Sequence, residues 1–334
     1  MILVTGGTGL VGSHLLFELT SKNNNVKAIY RSEKSLESVK KIFSYFSENV
    51  EGLFSKIEWI LADVTDVTSL ENAFKNVSVV YHAAALVSFD ERDYRKMRQV
   101  NIEGTANIVN YCISKNVKKL CFVSSIATIG DAINNNIVTE ENEWSVESHN
   151  TGYAITKHGA EMEVWRASQE GVDVVIINPG VILGAGFWNI NTGQFFSKVD
   201  KGLKFYTTGV TGFVGVNDVV KSMILLTESN LKNDRFIVVS ENKKFKDVFT
   251  SIANNLGKTP PNIKASKIVI SILRRIDGVI TFLTRKTRVL NKNTEKSLFN
   301  KTYYSSGKLK RAVNFEFNEI DKVIEELTVF YKKS

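Results

Sequence analysis

The chain has 334 residues, of which 43% are hydrophobic, and a formal net charge of +8. That is enough for one large domain, or a main domain with an appendage, around a packed core. No stretch reaches the roughly 20 uninterrupted apolar residues of a membrane-crossing helix, because the most apolar late segment, 268–283, carries Arg274, Arg275 and Asp277.

The lysines are spread along the chain without the interleaved aromatics of a single-strand binder, so no nucleic acid is expected. The excess charge reads as a solvated basic surface that helps attract anions. Cys112 and Cys121 read as buried thiols, and His14, His82, His149 and His158 are scattered without metal-ligand spacing; no metal is expected. The opening "MILVTGG" runs into strand-like residues with no basic leader, so a cytoplasmic location is expected.

In chain order, short runs of Ile and Val alternate with longer amphipathic stretches. "ILVT" precedes Leu10 to Lys22, "VKAIY" precedes Ser35 to Phe46, and "IEWILAD" precedes Ser69 to Phe74. "VSVVYHAA" precedes Arg92 to Ser114, and "KLCFVSS" precedes Thr151 to Gln169 and then "VDVVIINP". Strands apolar throughout, separated by helices, indicate a parallel sheet covered on both faces. The fold class expected is α/β, a Rossmann-type doubly wound parallel sheet with a smaller, mostly helical C-terminal substrate region.

Beyond Pro179 the rhythm breaks, with "RFIVVS" among helical segments near 218–228, 245–256, 266–283 and 318–331. The expected division is a dinucleotide-binding domain over 1–180, its core continuing to about 240 with interleaved segments, and a substrate-binding region over 181–334.

The turn "TGGTGLVG" after the first strand places Gly6, Gly9 and Gly12 at the first strand-to-helix junction, flanked by Thr8 and Leu10. Backbone amides there approach a pyrophosphate, and the helix N-terminus supplies favourable partial charge. The second strand ends in Arg31 rather than an acid. An arginine at the ribose-reading position suits a 2′-phosphate, so NADP(H) is favoured over NAD(H). The competing reading leaves Arg31 on the surface and gives the 2′-hydroxyl to Glu33.

"YAITK", residues 153–157, sets a tyrosine four positions before a lysine. On a helix the two share a face, and a neighbouring ammonium favours the phenolate, so Lys157 is expected to acidify Tyr153. The spacing recurs at Tyr30/Lys34, Tyr111/Lys115 and Tyr304/Lys308. Ligands in open α/β sheets bind outside the carboxyl ends of the strands. Tyr153 reaches that edge beside Ser124 and Ser125, whereas the other three tyrosines read as structural.

These motifs together resemble an extended short-chain dehydrogenase/reductase of the NAD-dependent epimerase/dehydratase superfamily, most closely its dihydroflavonol-reductase-like and 3β-hydroxysteroid-dehydrogenase-like members. The resemblance runs from Met1 to about Asp218 and continues more faintly to the C-terminus. It implies that "ADV" sets Asp63 and Val64 beside the adenine, that Ala83, Ala84 and Ala85 line the cofactor, and that Asn101 is structural. It further implies that Pro179 and Val181 of "NPGVILG" wall the nicotinamide and that "FVGVNDVV" returns the chain beside the substrate. Ser125, counted back from Gly130, then holds the substrate oxygen, Tyr153 moves the proton, and Lys157 also bonds the nicotinamide ribose.

The expected function is an NAD(P)-dependent oxidoreductase interconverting a hydroxyl and a ketone on a small organic substrate. The alternative is a nucleotide-sugar epimerase with retained cofactor, to which "NPGVILG" and "TGQFF" also point. A non-catalytic dinucleotide sensor is disfavoured by the complete Ser125, Tyr153 and Lys157 set. A dehydratase lacks its acidic pair, since Ile126, Ala127 and Thr128 follow Ser125. Phe89, Phe187, Trp188 and Phe213 are candidates for an apolar substrate pocket. The partners expected are a small-molecule substrate and, as an option, a second copy in a homodimer.

Overall fold

Seven strands form one all-parallel sheet: β1 (Ile2–Thr5), β2 (Val26–Tyr30), β3 (Ile57–Leu61), β4 (Val79–His82), β5 (Lys119–Val123), β6 (Asp173–Pro179) and, after the strands of the C-terminal region begin, β10 (Asp234–Val238). They lie in the order β10-β6-β5-β4-β1-β2-β3 in this computed structural model, which describes residues 1–132, 137–148, 150–266, 270–271 and 298–334. Most of the helix expected over 266–283 lies outside the described residues, as does His149.

Both faces of the sheet are covered because both sets of alternating side chains are apolar. Val4, Ala28, Cys121, Val175 and Ile177 pack on one face against α1 (Leu10–Ser21), α2 (Lys34–Phe46), α3 (Val50–Phe54) and α9 (Val216–Glu228). Leu3, Ile29, Val80, Leu120 and Ile176 pack on the other against α4 (Val67–Ala73), α6 (Gly104–Ser114) and α7 (Gly152–Gln169). Each fully buried aliphatic side chain contributes roughly 1.5–3 kcal/mol.

The stretch expected as one helix from Arg92 to Ser114 is instead assembled from pieces. A 3₁₀ turn (Glu91–Asp93) leads into α5 (Tyr94–Arg98), a π turn (Gln99–Glu103) and then α6. The π turn carries Asn101, whose amide takes the Leu86 backbone N–H at 2.7 Å and donates to the Leu86 carbonyl at 3.0 Å and to Thr156 Oγ1 at 3.1 Å. An extra residue in the turn thus fastens the segment after β4 to α7, a device frequent beside functional sites.

In the C-terminal region β7 (Val181–Leu183), β9 (Val210–Gly215) and β11 (Glu241–Lys244) form a three-stranded sheet, and β8 (Phe205–Tyr206) pairs with β12 (Ile263–Lys264). Around them stand α8 (Gln194–Asp200), α10 (Phe245–Leu256), α11 (Gly307–Val313) and α12 (Ile320–Lys332). No helix among the described residues is long and apolar enough to cross a membrane.

The order reverses between β1 and β4, where the crevice of an open α/β sheet lies. Gly6 has φ +69°, and a Cβ there would stand 2.6 Å from the Ala83 carbonyl carbon and the Ala84 nitrogen. A Cβ on Gly12 would lie 2.1 Å from the Gly6 carbonyl oxygen. Gly12→Ala is therefore expected to destabilise the protein by about 1–3 kcal/mol through forced separation of α1 from its turn. Denaturant titration checks this, and an unchanged midpoint would show that the turn yields freely.

Candidate active site

The crevice begins at the N-terminus of α1. Gly9 caps that helix with no side-chain hydrogen bond, and no acid stands in the first turn. Its backbone is extended, and a Cβ would meet only the Gly6 carbonyl oxygen, at 3.4 Å. The fold itself therefore makes little demand for glycine at position 9. An anionic group brought against the open amides would make that demand, and the helix terminus favours it. The residues present thus fit a dinucleotide pyrophosphate, with Thr8 and Leu10, both partly buried, at its sides.

Along the same edge, Arg31 extends from the end of β2, 68% exposed, with Nη1 3.9 Å from Asp63 Oδ2. Asp63 Oδ1 accepts from the Thr65 backbone N–H at 2.9 Å and the Thr65 hydroxyl at 2.8 Å, so its carboxylate is partly engaged in a local turn. Val64 is buried under Gly104, where a Cβ would come within 2.7 Å of its methyl group. Ala83 and Ala84 are held by Thr5, through its carbonyl at 3.2 Å and its hydroxyl at 3.3 Å, while Ala85 is exposed. Pro179 ends β6 buried, and Val181 opens β7 partly buried.

Thr151 starts α7 by accepting the Ala154 N–H on its hydroxyl at 3.0 Å. That cap sets Tyr153 in the first turn with Lys157 one turn deeper. The Ser125 side chain lies near enough to the Tyr153 phenol to lower its pKa, and its oxygen accepts the Ala127 N–H at 3.1 Å. Ser124 turns the other way, donating to Glu161 Oε2 at 2.6 Å inside the protein. The two serines are thus separated by the strand end: Ser125 meets Tyr153 and Ser124 belongs to the interior.

Lys157 is fully buried; its ammonium donates to the Val123 carbonyl at 2.8 Å and lies 4.1 Å above the Phe122 ring centre. Burial brings its pKa down to about 7, with Glu161 pulling the other way. Burial also pushes the Tyr153 phenol up, and the nearby Ser125 side chain offsets part of that rise. The expected acidification of Tyr153 by Lys157 is therefore not what this arrangement gives. The i, i+4 spacing brings two side chains to one face, but this ammonium is aimed at Val123 and is itself poorly solvated.

The other tyrosines are engaged elsewhere. Tyr111 donates to the Val67 carbonyl at 2.9 Å, and Lys115 pairs with Glu71 at 3.0 Å. Tyr30 packs edge-on against Trp59, 6.2 Å between ring centres. Tyr304 bridges to Val138, with burial pushing its phenol up to about 12, and Lys308 pairs with Asp234.

Of the proposed pocket aromatics, Phe213 and Trp188 are buried in the C-terminal core with Phe196 and Val248. Phe89 is 57% exposed, its ring 6.2 Å from that of Tyr153. Nearby, Trp144 stacks flat on His158 at 4.3 Å. Cys112 and Cys121 are buried free thiols, and among the described residues no group of His, Cys, Asp and Glu is placed to hold a metal ion.

Sequence reasoning missed two polar groupings. His82 bridges Thr5 Oγ1 at 2.6 Å and Thr105 Oγ1 at 2.9 Å, and burial brings its pKa down to about 3. Glu161 collects Ser124, Thr128, Asn178 and Arg235. Only the spacing of Glu161, four residues past Lys157, hinted at either.

An open parallel sheet with a glycine turn at its switch point, and a Ser–Tyr contact at the end of β5, define a dinucleotide-binding α/β protein. The model of the NAD-binding family described as "Male sterility protein" matches residues 4–205. A putative dihydroflavonol 4-reductase of Synechocystis sp. is 26% identical over 266 residues, 77% of this chain and 73% of its own. A UDP-glucose 4-epimerase of Vibrio cholerae is 27% identical over 251 residues, 72% of this chain and 70% of its own. The structure of a Thermus thermophilus UDP-glucose 4-epimerase in complex with NAD superimposes with a TM-score of 0.75 at 20% identity, covering 99% of this chain and 98% of that one. The chain belongs to the NAD-binding male-sterility family, within the extended short-chain dehydrogenase/reductase superfamily, and is an NAD(P)-dependent enzyme of the reductase and epimerase type.

A lysine titrating near 7 in the folded protein and near 10.5 unfolded leaves the unfolded chain with more bound protons between those values. Stability from this group therefore rises with pH across that window, and the cost of the buried charge is complete below it. Lys157→Met is expected to be more stable than the parent at pH 6, by about 1–4 kcal/mol. The advantage should shrink steadily towards pH 10. Thermal unfolding across pH checks it, and a difference independent of pH would contradict the buried titration.

Proposed function

We propose that the enzyme reduces a ketone or aldehyde on a small or medium, partly apolar organic substrate with NADPH, running the reverse oxidation when concentrations favour it. The observation that carries this reading is the juxtaposition of Ser125, just past the end of β5, with Tyr153 in the first turn of α7, on the edge where the glycine turn opens. When bound, the nicotinamide supplies the hydride that reaches the carbonyl carbon.

Burial keeps the Tyr153 phenol protonated near neutral pH, so it serves as proton donor to the carbonyl oxygen as negative charge develops there. Ser125 holds the same oxygen. Lys157, titrating near 7, is positioned one turn behind Tyr153 and carries charge when an anionic or oxygen-rich neighbour favours it. Phe89, largely exposed beside Tyr153, offers the substrate an apolar surface.

The similarity to an epimerase from Vibrio cholerae supports a second reading, in which the hydride is returned to the substrate and the cofactor stays bound. The two differ in stoichiometry. Incubation with ketones, flavonoid-like and steroid-like alcohols and nucleotide sugars should show net change of nicotinamide absorbance with a carbonyl or alcohol substrate. Conversion of a nucleotide sugar without net change would favour the epimerase. Tyr153→Phe is expected to lower kcat by about 10²–10⁴-fold, the usual contribution of a positioned acid or base, while cofactor binding persists. Retention of kcat would overturn the reading.

For the cofactor, Arg31 is the only cation placed by the motif at the ribose-reading position, and its pairing with Asp63 is long and exposed. An exposed pair of this kind holds an arginine weakly, about 0–1 kcal/mol, leaving it available to a 2′-phosphate. Tighter binding of NADPH than NADH is expected in a fluorescence titration, with Arg31→Asp flattening or inverting the preference. Tighter NADH binding by the unaltered protein would remove Arg31 from that role.

A further inference from the structure

Tyr153, Lys157 and Glu161 follow one another at four-residue intervals along α7 and so form a stripe on one face of the helix. Glu161 is the innermost and has no exposed surface. Its Oε2 is 2.6 Å from Ser124 Oγ, 2.8 Å from Thr128 Oγ1 and 3.1 Å from Asn178 Nδ2, and its Oε1 is 3.3 Å from Arg235 Nη1. These partners come from the end of β5, the 3₁₀ turn Ile126–Thr128, the end of β6 and β10. Thr128 Oγ1 also lies 2.8 Å, and Asn178 Nδ2 3.2 Å, from the Ser125 carbonyl. Arg235 further donates to the Glu140 carbonyl at 2.6 Å.

We propose that Glu161 is a positioning residue of the active site. Its buried carboxylate fastens the strand end Val123–Ser125 to the α7 face that bears Tyr153 and Lys157. The inference rests on the reading of those residues given above.

A buried carboxylate facing four polar partners costs desolvation that a packed aliphatic residue would not. Here three of the partners, Ser124, Thr128 and Asn178, also sit next to Ser125 or contact its carbonyl, while Arg235 ties Glu161 to the Glu140 loop. Val123, adjacent to Ser124, supplies the carbonyl that receives the Lys157 ammonium. Glu161 therefore acts in two ways: as an anchor, and as the negative charge that keeps the desolvated Lys157 cationic. The charged and titratable groups around this pair are Lys157 and His158 on α7, Arg235 on β10 and His82 on β4. Against them, Glu161 one turn along α7 favours the charged form of Lys157.

The test compares Lys157→Met with its parent in two backgrounds, native and E161Q, following thermal unfolding against pH. The pH at which the Lys157→Met advantage begins to decline reports the lysine titration. It is expected to fall by about one pH unit or more in the E161Q background; an unchanged window overturns the proposal.

NADPH titrations by fluorescence provide a second readout. E161Q is expected to bind NADPH about tenfold more weakly than the parent at pH 8 but only about twofold more weakly at pH 6, the consequence of a one-unit shift. A purely structural role would weaken binding equally at both. Should E161Q fail to fold, E161D decides: it keeps the charge but is too short to reach all its donors. It is expected to weaken NADPH binding several-fold at every pH without moving the window, and native affinity would overturn the anchoring role. If Lys157→Met leaves NADPH affinity unaltered at all pH values, the cofactor role of Lys157 fails, whatever E161Q does to the titration.

Discussion

The backbone contact between the β1 turn and the end of β4 is the constraint on which the site depends. Gly6 presses on Ala83 and Ala84 with no room for a side chain, and Gly12 presses in turn on Gly6. The N-terminus of α1 is thereby brought beside the switch point of the sheet. A buried hydrogen-bonded line carries this placement onward. Thr105 Oγ1 donates to the Asn101 carbonyl at 2.5 Å, so it must accept from His82 Nε2–H, leaving His82 Nδ1 to accept from Thr5. Asn101 then reaches Thr156 on α7. One continuous chain of polar contacts therefore runs from the phosphate-side turn to the helix of Tyr153 and Lys157, and burial of a neutral His82 at its centre keeps it in a single tautomer.

On α7 the same helix face passes from partly solvated to dry within two turns. Tyr153 is partly buried, while Lys157 and Glu161 are fully so. A lysine in such a place would be driven to neutrality were it not given a carbonyl, an aromatic face and a carboxylate one turn away. The balance leaves it titrating near neutral pH, where modest changes in its surroundings alter its charge. The phenol, by contrast, is held protonated. The division between a protonated donor and a responsive cation comes from depth along one helix rather than from different neighbours in sequence.

The elements that rest on local pattern were legible in the sequence. Doubly buried strands read as continuous apolar runs, the glycines sat at the first βα junction, and Tyr153 and Ser125 converged because both lie at one sheet edge. What escaped needed either orientation or long-range partners. The i, i+4 rule placed Lys157 near Tyr153 but not where its ammonium points, and it carried no sign of the burial that raises the phenol. Phe213 and Trp188 looked like pocket aromatics because hydrophobicity is silent on whether a ring faces a cleft or a core. The π turn at Gln99–Glu103 has no periodic signature of its own, being one extra residue inside a helical run. Glu161 and Arg235 are 74 residues apart, and no spacing rule links them.

That separation has a consequence for how the site is assembled. β10 pairs with β6 only after the chain has passed through β7, β8 and β9, and Arg235 on β10 supplies the guanidinium beside Glu161 while also gripping the Glu140 carbonyl in the loop between β5 and α7. A boundary drawn near residue 180 therefore divides the chain but not the sheet. Until β10 docks, Glu161 would face its desolvation without its cationic partner, an arrangement costing several kcal/mol. Contacts at this sequence separation are among the slower to form, because loop closure precedes any gain from the contact. Ordering of the strand end that bears Ser125 is thereby coupled to arrival of the C-terminal third, and the glycine turn on the far side of the sheet, which needs only β1, α1 and β4, is free of that dependence.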